Sequence, residues 1–245
     1  MLLHYTADGF LVILPHDDPY RIVDAMLGTS YSEEFCIALN FTADFVARLM
    51  KAGFLVMSTR LTDPEEDVSS EEDVSSEESE HFILLPRLHL TRSVLFFDKL
   101  HIKNSIKRHL NRFELRFDTD FDYIIDRCIE VHGDEWLTPP LVEDIKTIRH
   151  NKLHGVYPAS FALYRDGKLV AGEFGVITGR VYTSYSGYYD ESNAGTVQLI
   201  LATRYLQEHG FAFLDLGMPL DYKTDLGATD VSPQEFTALF RSAQE

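Results

Sequence analysis

The residues best suited by type and spacing to do chemistry form a cationic segment, His101-Ile102-Lys103-Asn104-Ser105-Ile106-Lys107-Arg108-His109-Leu110-Asn111-Arg112. Lys103 and Lys107 are four apart, as are Arg108 and Arg112, while Ile102, Ile106 and Leu110 recur at helical spacing. A helix over His101 to Arg112 would stack positive charge on one side and pack aliphatic groups on the other. Such a face suits phosphates, and a merely solvated helix face has the same pattern. The lone tryptophan, in Trp136-Leu137-Thr138-Pro139, offers either an aromatic plane for stacking an unpaired base or a core side chain. No Walker loop, Ser-His-Asp set or clustered metal-ligand pattern stands out, so no cofactor or metal is expected. Cys36 and Cys128 are the only cysteines. They lie too far apart for a CxxC pair and are expected to be buried thiols, with neither a disulfide framework nor a structural zinc site.

Those residues need a scaffold, and 245 residues with 45% hydrophobic content can build one or two domains with a real core. No apolar run reaches membrane-spanning length and the N-terminus lacks a signal-peptide order, so a cytoplasmic protein without a membrane partner, and a monomer, is expected. The net charge of −17 opposes nucleic-acid binding. Ten of the acidic residues, however, fall between Asp63 and Glu80, with no basic residue among them, which leaves −7 for the rest. That segment contains a tandem Glu-Glu-Asp-Val-Ser-Ser repeat and cannot bury enough apolar area to order itself, so residues 61–81 read as an acidic linker or surface loop.

Residues 1–60 read as a small N-terminal α/β domain, with strands at Phe10 to Leu14 and Phe35 to Leu39 and a helix capped by Thr42 and closed near Gly53. Residues 82–245 read as strands at Val94 to Phe97, Phe113 to Phe117, Ala159 to Tyr164, Leu169 to Val176, Arg180 to Ser186 and Phe211 to Leu216, with helices at Phe121 to Val131 and Ala194 to Glu208. Asp166-Gly167 is a hairpin signal. The order predicts an α/β (α+β) fold, a mixed sheet flanked by helices that resembles the GNAT-like acyltransferases. Coenzyme A is not expected, because Asp190-Glu191-Ser192-Asn193-Ala194-Gly195, where such enzymes cradle pyrophosphate, is acidic and holds one glycine.

Trp136-Leu137-Thr138, Ser192-Asn193-Ala194, Leu214-Asp215 and Leu226-Gly227-Ala228, in that order and spacing, resemble the leucyl/phenylalanyl-tRNA–protein transferases. Leu100, His101, Ile102, Ser105, Lys107 and Arg108 resemble that family's Leu-His-Ile-x-x-Ser-x-Lys-Arg segment. The resemblance implies transfer of an amino acid from charged tRNA to a protein's N-terminal amine. It places Lys103, Lys107, Arg108 and Arg112 on the tRNA surface, Trp136 and Thr138 near the donor's terminal adenosine, and Asp215 at the reactive centre. It puts the aminoacyl pocket at Glu173, Tyr182, Leu199 and Leu214. This chain departs from the family where a glutamine would stand, at Gly217, and where a glutamate would stand, at Tyr185, so Tyr185, Ser186 or Tyr188 are the candidate hydroxyls. Glu173 replaces a pocket methionine, which implies either a cationic arginyl or lysyl donor, or a Glu173 that points to solvent or pairs internally with Arg180 or Lys168. The alternative expectation is a relative that binds tRNA or protein N-termini without transfer.

Overall fold

The computed structural model describes residues 3–28, 31–61 and 81–245. The acidic repeat lies outside them. At the N-terminus, β1 (His4–Tyr5) and β2 (Leu11–Val12) pair antiparallel, and α1 (Pro19–Gly28) follows, burying Ile22, Val23 and Met26. The Thr42 side chain accepts a hydrogen bond from the Phe45 N–H at 3.3 Å and so caps α2 (Ala43–Lys51), as expected. Two longer strands, β3 (Leu55–Leu61) and β4 (His81–Arg87), form an antiparallel ribbon. The strand expected at Phe35 to Leu39 is reduced to isolated bridges, because its backbone alternates partners: Ile37 pairs with Leu11 and Ile13, and Ala38 with Leu84.

The main sheet begins with β5 (Arg92–Leu95). A single helical turn, α3 (Asn104–Lys107), then leads to β6 (Glu114–Phe117). Next come α4 (Phe121–His132) and α5 (Pro139–Asn151), and then a meander of β7 (Val156–Arg165), β8 (Lys168–Thr178) and β9 (Val181–Tyr189). The chain finishes with α6 (Ala194–Glu208), β10 (Phe213–Asp215), α7 (Asp221–Asp225), β11 (Thr229–Val231) and α8 (Pro233–Ser242). The seven strands lie in the order β11-β5-β10-β9-β8-β7-β6. All neighbours are antiparallel except β9 and β10, which α6 joins as a parallel pair. This is the mixed sheet with flanking helices that the sequence predicts. Asp166 and Gly167 both have positive φ, 51° and 77°, as the tight β7–β8 hairpin demands.

The expected helix from His101 to Arg112 does not form. Its α-helical part is Asn104–Lys107, followed by a 3-10 turn at Leu110–Arg112, and Lys103 supplies no side-chain cap. Asn, Ser and His are weak helix formers, and a segment this short cannot meet the nucleation penalty without a cap. Lys103 and Lys107 still flank one turn, but Arg108 and Arg112 fall outside it. Ile106 is buried as expected, with Ile102 and Leu110 packed against the same cluster.

Two hydrophobic clusters sandwich the sheet. One unites the N-terminal elements with α4, α5 and α8, through Phe45, Leu49, Ile124, Ile145, Phe174, Phe236 and Phe240. The other packs Val197, Ile200 and Leu206 of α6 on Phe161, Tyr182 and Leu214. Alternation along β8 and β9 therefore sends Phe174 and Tyr185 to the first side and Ala171 and Tyr182 to the second. Among the described residues no helix is long and apolar enough to cross a membrane.

Candidate functional site

The sheet opens where β9 leaves β10. The two strands pair only over Val181–Thr183 and Phe213–Asp215, and β9 then carries a bulge opposite Phe174/Gly175. A bulge adds an unpaired residue and bends its strand, so β9 swings away from the end of β10. Gly175 permits the close approach there, since a Cβ on it would lie 2.4 Å from the Thr183 carbonyl oxygen and 2.6 Å from the Tyr182 ring. In sheets with parallel neighbours, this fork beyond the carboxyl end of a strand is where ligands bind.

Asp215 ends β10 with no exposure at all. Its carboxylate accepts Nε and Nη2 of Arg92 at 2.8 and 2.6 Å, the Thr183 hydroxyl at 2.9 Å and the Gly217 N–H at 3.0 Å. Burial alone would raise its proton affinity, but Arg92 and the two neutral donors hold its carboxyl below the usual range. Arg92 in turn lies over the Phe236 ring at 4.3 Å. The Tyr185 hydroxyl accepts the Val56 N–H at 3.1 Å, and burial pushes it up in pKa, so it is a neutral phenol at any ordinary pH. Ser186 sits beside the Cys128 thiol, itself pushed up to about 12 by burial. Asp215, Tyr185 and Ser186 therefore all face the N-terminal side of the sheet.

Glu173 and Tyr182 lie on the other face, beneath α6. Glu173 is 6% exposed, and its Oε2 accepts from Gln198 Nε2 at 3.2 Å. Among the described residues its Oε1 makes no well-formed hydrogen bond, and neither does the buried Tyr182 hydroxyl, although the Ser184 and Tyr182 hydroxyls both lie close to the carboxyl. Burial raises the carboxyl's pKa against the opposing hydrogen bonds of Gln198 and Ser184 and the positive charge of Lys223. Leu199 and Leu214 are buried in the same cluster, so the four residues expected to form an aminoacyl pocket do share one region. Neither Arg180 nor Lys168 pairs with Glu173 among the described residues; Gln198 takes that place.

The remaining candidates lie further off. Lys103 and Lys107 line an open cavity of about 610 Å3 together with Leu100, His101, Ile102, Asn104 and Arg204. Lys103 also pairs with Asp225 at 2.6 Å. Arg108 and Arg112 are exposed outside this cavity. Trp136 is half-buried against the N-terminal cluster, and its carbonyl accepts the Ser58 N–H at 2.9 Å. The Thr138 hydroxyl meets Ser58 Oγ at 2.7 Å and is buried. Among the described residues there is no group of His, Cys, Asp and Glu able to hold a metal ion.

Residues 94–241 match the family described as leucyl/phenylalanyl-tRNA protein transferase. The chain belongs to that family. The matched span runs from the second half of β5 into α8 and contains Glu173, Tyr185, Asp215 and the whole fork. Among curated relatives, the leucyl/phenylalanyl-tRNA–protein transferase of Pseudomonas putida (strain W619) is 32% identical over 151 residues, which are 59% of this chain and 65% of that protein. The one from Maridesulfovibrio salexigens is 29% identical over 160 residues, 63% of this chain and again 65% of the relative. The alignments thus span just under two thirds of these relatives' length. Solved structures with a similar outline include FemX, at a TM-score of 0.48 and 11% identity, covering 94% of this chain and 81% of that one. Another is L-PGS from Bacillus licheniformis, at 0.42 and 12%, covering 99% and 89%.

Three buried polar residues of this family member escape sequence reasoning. Arg92 closes on Asp215, Gln198 on Glu173, and Lys223 hydrogen-bonds the chain just past β10. None carries a motif. Lys223 sits in the polar run Asp221-Tyr222-Lys223-Thr224-Asp225, which reads as solvated surface.

Proposed function

We propose that the chain moves an aminoacyl group from charged tRNA to the N-terminal amine of a protein. The family match over residues 94–241 carries this reading, because it takes in both strands of the fork with Asp215, Tyr185, Ser186, Glu173 and Lys223, although Arg92 lies just before it. The ester is already activated, so the site must position the two reactants and stabilise the oxyanion that forms. In this reading Lys103, Lys107 and Arg204 meet tRNA phosphates at their cavity, with Arg108 and Arg112 beside it, and Trp136 with Thr138 receives the donor's 3′ end. Tyr182, Leu199 and Leu214 line the pocket with Glu173. Asp215, tied by four donors, shapes the reactive centre while Tyr185 and Ser186 border it.

The finer proposal concerns the donor. A buried carboxyl oxygen without a well-formed hydrogen bond or a counter-charge is costly, and Glu173 Oε1 is one. A cationic donor side chain, arginyl or lysyl, would satisfy it, whereas a leucyl group would leave it stranded. The test is transfer of radiolabelled amino acid from total charged tRNA onto peptides beginning with Arg, Lys, Asp or Glu. Labelled arginine or lysine is expected, and Glu173→Met should shift transfer towards leucine or phenylalanine. If the parent and Glu173→Met transferred leucyl and arginyl groups equally, the pocket assignment would be wrong.

One observation favours a second reading, binding of tRNA or protein N-termini without transfer. Both oxygens of Asp215 are already engaged, so it has no free lone pair aimed at an incoming amine. Charged-tRNA binding with no labelled peptide, from folded protein, would establish that reading.

A further inference from the structure

The end of β10 holds a second buried cation, and its setting differs from that of Arg92. Lys223 is 6% exposed. Its ammonium donates to the carbonyls of Leu216 at 2.5 Å and Met218 at 2.7 Å, and so brackets the Gly217 peptide just past Asp215. A lysine ammonium has three donors, so these two bonds leave one N–H over. Among the described residues Lys223 forms no ion pair, whereas Arg92 is closed on Asp215. Charged and titratable groups face it from every neighbouring element: Glu173 from β8, Asp215 from β10, Arg92 from β5, Asp230 from β11, and His89 from the segment before β5. Lys223 thus stands where the two faces of the sheet meet, close enough to feel both the Asp215 side and the Glu173 side. Burial brings its pKa down to about 8, so it is an ammonium at neutral pH and loses that charge at mildly alkaline pH.

We propose that Lys223 is the electrophilic residue of the transfer, with its spare N–H donating to the carbonyl oxygen of the aminoacyl ester. The proposal rests on the transfer reading above. The neutral acceptor amine attacks the carbonyl carbon, the C–N bond forms, and the π pair moves onto the oxygen that Lys223 holds. The tetrahedral intermediate then expels the ribose oxygen. The C–O bond breaks and the proton shed by the amine passes to that leaving oxygen. Lys223 stays protonated throughout, and no further reactant is needed. A preorganised cation in a dry site acts most strongly where charge appears only in the transition state. Arg92 spends Nε and Nη2 on Asp215, although its Nη1 has no partner among the described residues, and Tyr185 is a neutral phenol, so among these groups Lys223 is the buried cation not paired with a carboxylate.

The test compares the parent with Lys223→Met and Lys223→Arg, measuring kcat against pH, affinity for charged tRNA, and Tm. Lys223→Met should lower kcat by about 10²- to 10³-fold, the loss typical of one oxyanion donor, with tRNA affinity unchanged. The parent's kcat should fall as pH rises through about 8. Lys223→Arg, whose guanidinium stays charged, should keep measurable activity without that alkaline fall. An unchanged kcat in Lys223→Met, a loss that merely follows tRNA affinity, or the same alkaline limb in Lys223→Arg would overturn the proposal. If Lys223→Met fails to fold, the pH profile of Lys223→Arg decides alone. A parent that binds charged tRNA yet labels no peptide refutes the transfer reading itself. Failure confined to the variants refutes only the role of Lys223.

Discussion

At the scale of single residues, two buried charged groups meet opposite fates. Asp215 and Arg92 form a closed bidentate pair, each with at most 1% of its side chain exposed. Removing one partner of such a pair strands the other's charge, so Arg92→Ala should cost about 3–5 kcal/mol of stability, measurable by denaturant unfolding. Glu173 has no ion-pair partner among the described residues, only neutral donors led by Gln198 at 3.2 Å, and its Oε1 makes no well-formed hydrogen bond. Glu173→Gln keeps the shape while removing the carboxylate's desolvation penalty, so Tm should rise while any preference for a cationic donor disappears. His89 supplies a pH dependence. Burial, aided by Arg92 and Arg87, lowers its pKa to about 3, although Glu34 lies 3.6 Å from its Nδ1. The ordinary value is 6.5, so between about pH 6.5 and 3 the unfolded chain binds the proton that the folded chain refuses. Stability should therefore fall as pH drops through that window. His89→Gln should flatten the fall in acid melting curves.

At the scale of elements, the fork depends on β9 bending away from β10, and Gly175 of β8 is the residue that lets β8 and β9 come so close at the bend. Because a Cβ there would meet backbone at 2.4 Å, the neighbour cannot simply rotate aside. Gly175→Ala should lower stability by about 1–3 kcal/mol. It should also reduce transfer more than tRNA affinity, since the fork is displaced while the cationic cavity is left alone. An alanine variant with the parent's transfer rate would show that the fork's geometry is not critical. The element expected at His101 to Arg112 illustrates a different constraint. Charge and aliphatic spacing suggested one long helix, yet without a cap and with weak formers the chain makes a single turn. The anchoring of Ile106 and the hydrogen bond from His101 to Leu226 hold that turn in place.

At the scale of the whole molecule, a net charge of −17 surrounds one open cavity that carries Lys103, Lys107 and Arg204. Association with tRNA should be strongly salt-dependent and arise largely from this region. Reversing Lys107 to Glu should weaken tRNA binding and reduce the slope of log affinity against log salt by about one. Binding titrations at several salt concentrations check this. An unchanged slope would mean that the tRNA lies elsewhere.

The sequence by itself determined six of the seven strands of the main sheet and the helices α4 and α6 between them, though not the strands' spatial order nor β11. Alternating apolar residues in β7, β8 and β9, the Asp166-Gly167 turn and the apolar faces of α4 and α6 are local signals, each set by backbone and burial within a few residues. Thr42 marked its helix for the same reason. Local pattern was weaker where elements are short or open on proline: α5, which starts at Pro139-Pro140, and the one-turn segments α3 and α7 were not legible. Of the residues the family resemblance singled out, Asp215, Tyr185 and Ser186 share one face at the fork, Glu173, Tyr182, Leu199 and Leu214 lie on the other, and the tRNA candidates lie further off; sequence could not say which face each would take. For Tyr185 and Ser186 that depended on one bulge in β9, which sets the parity of the side chains at and beyond it. Tertiary structure alone decided that Arg92 answers Asp215, Gln198 answers Glu173 and Lys223 brackets Gly217. These partners come from strands and helices remote in sequence, and a buried charge finds its partner only when packing has removed the water that would otherwise serve.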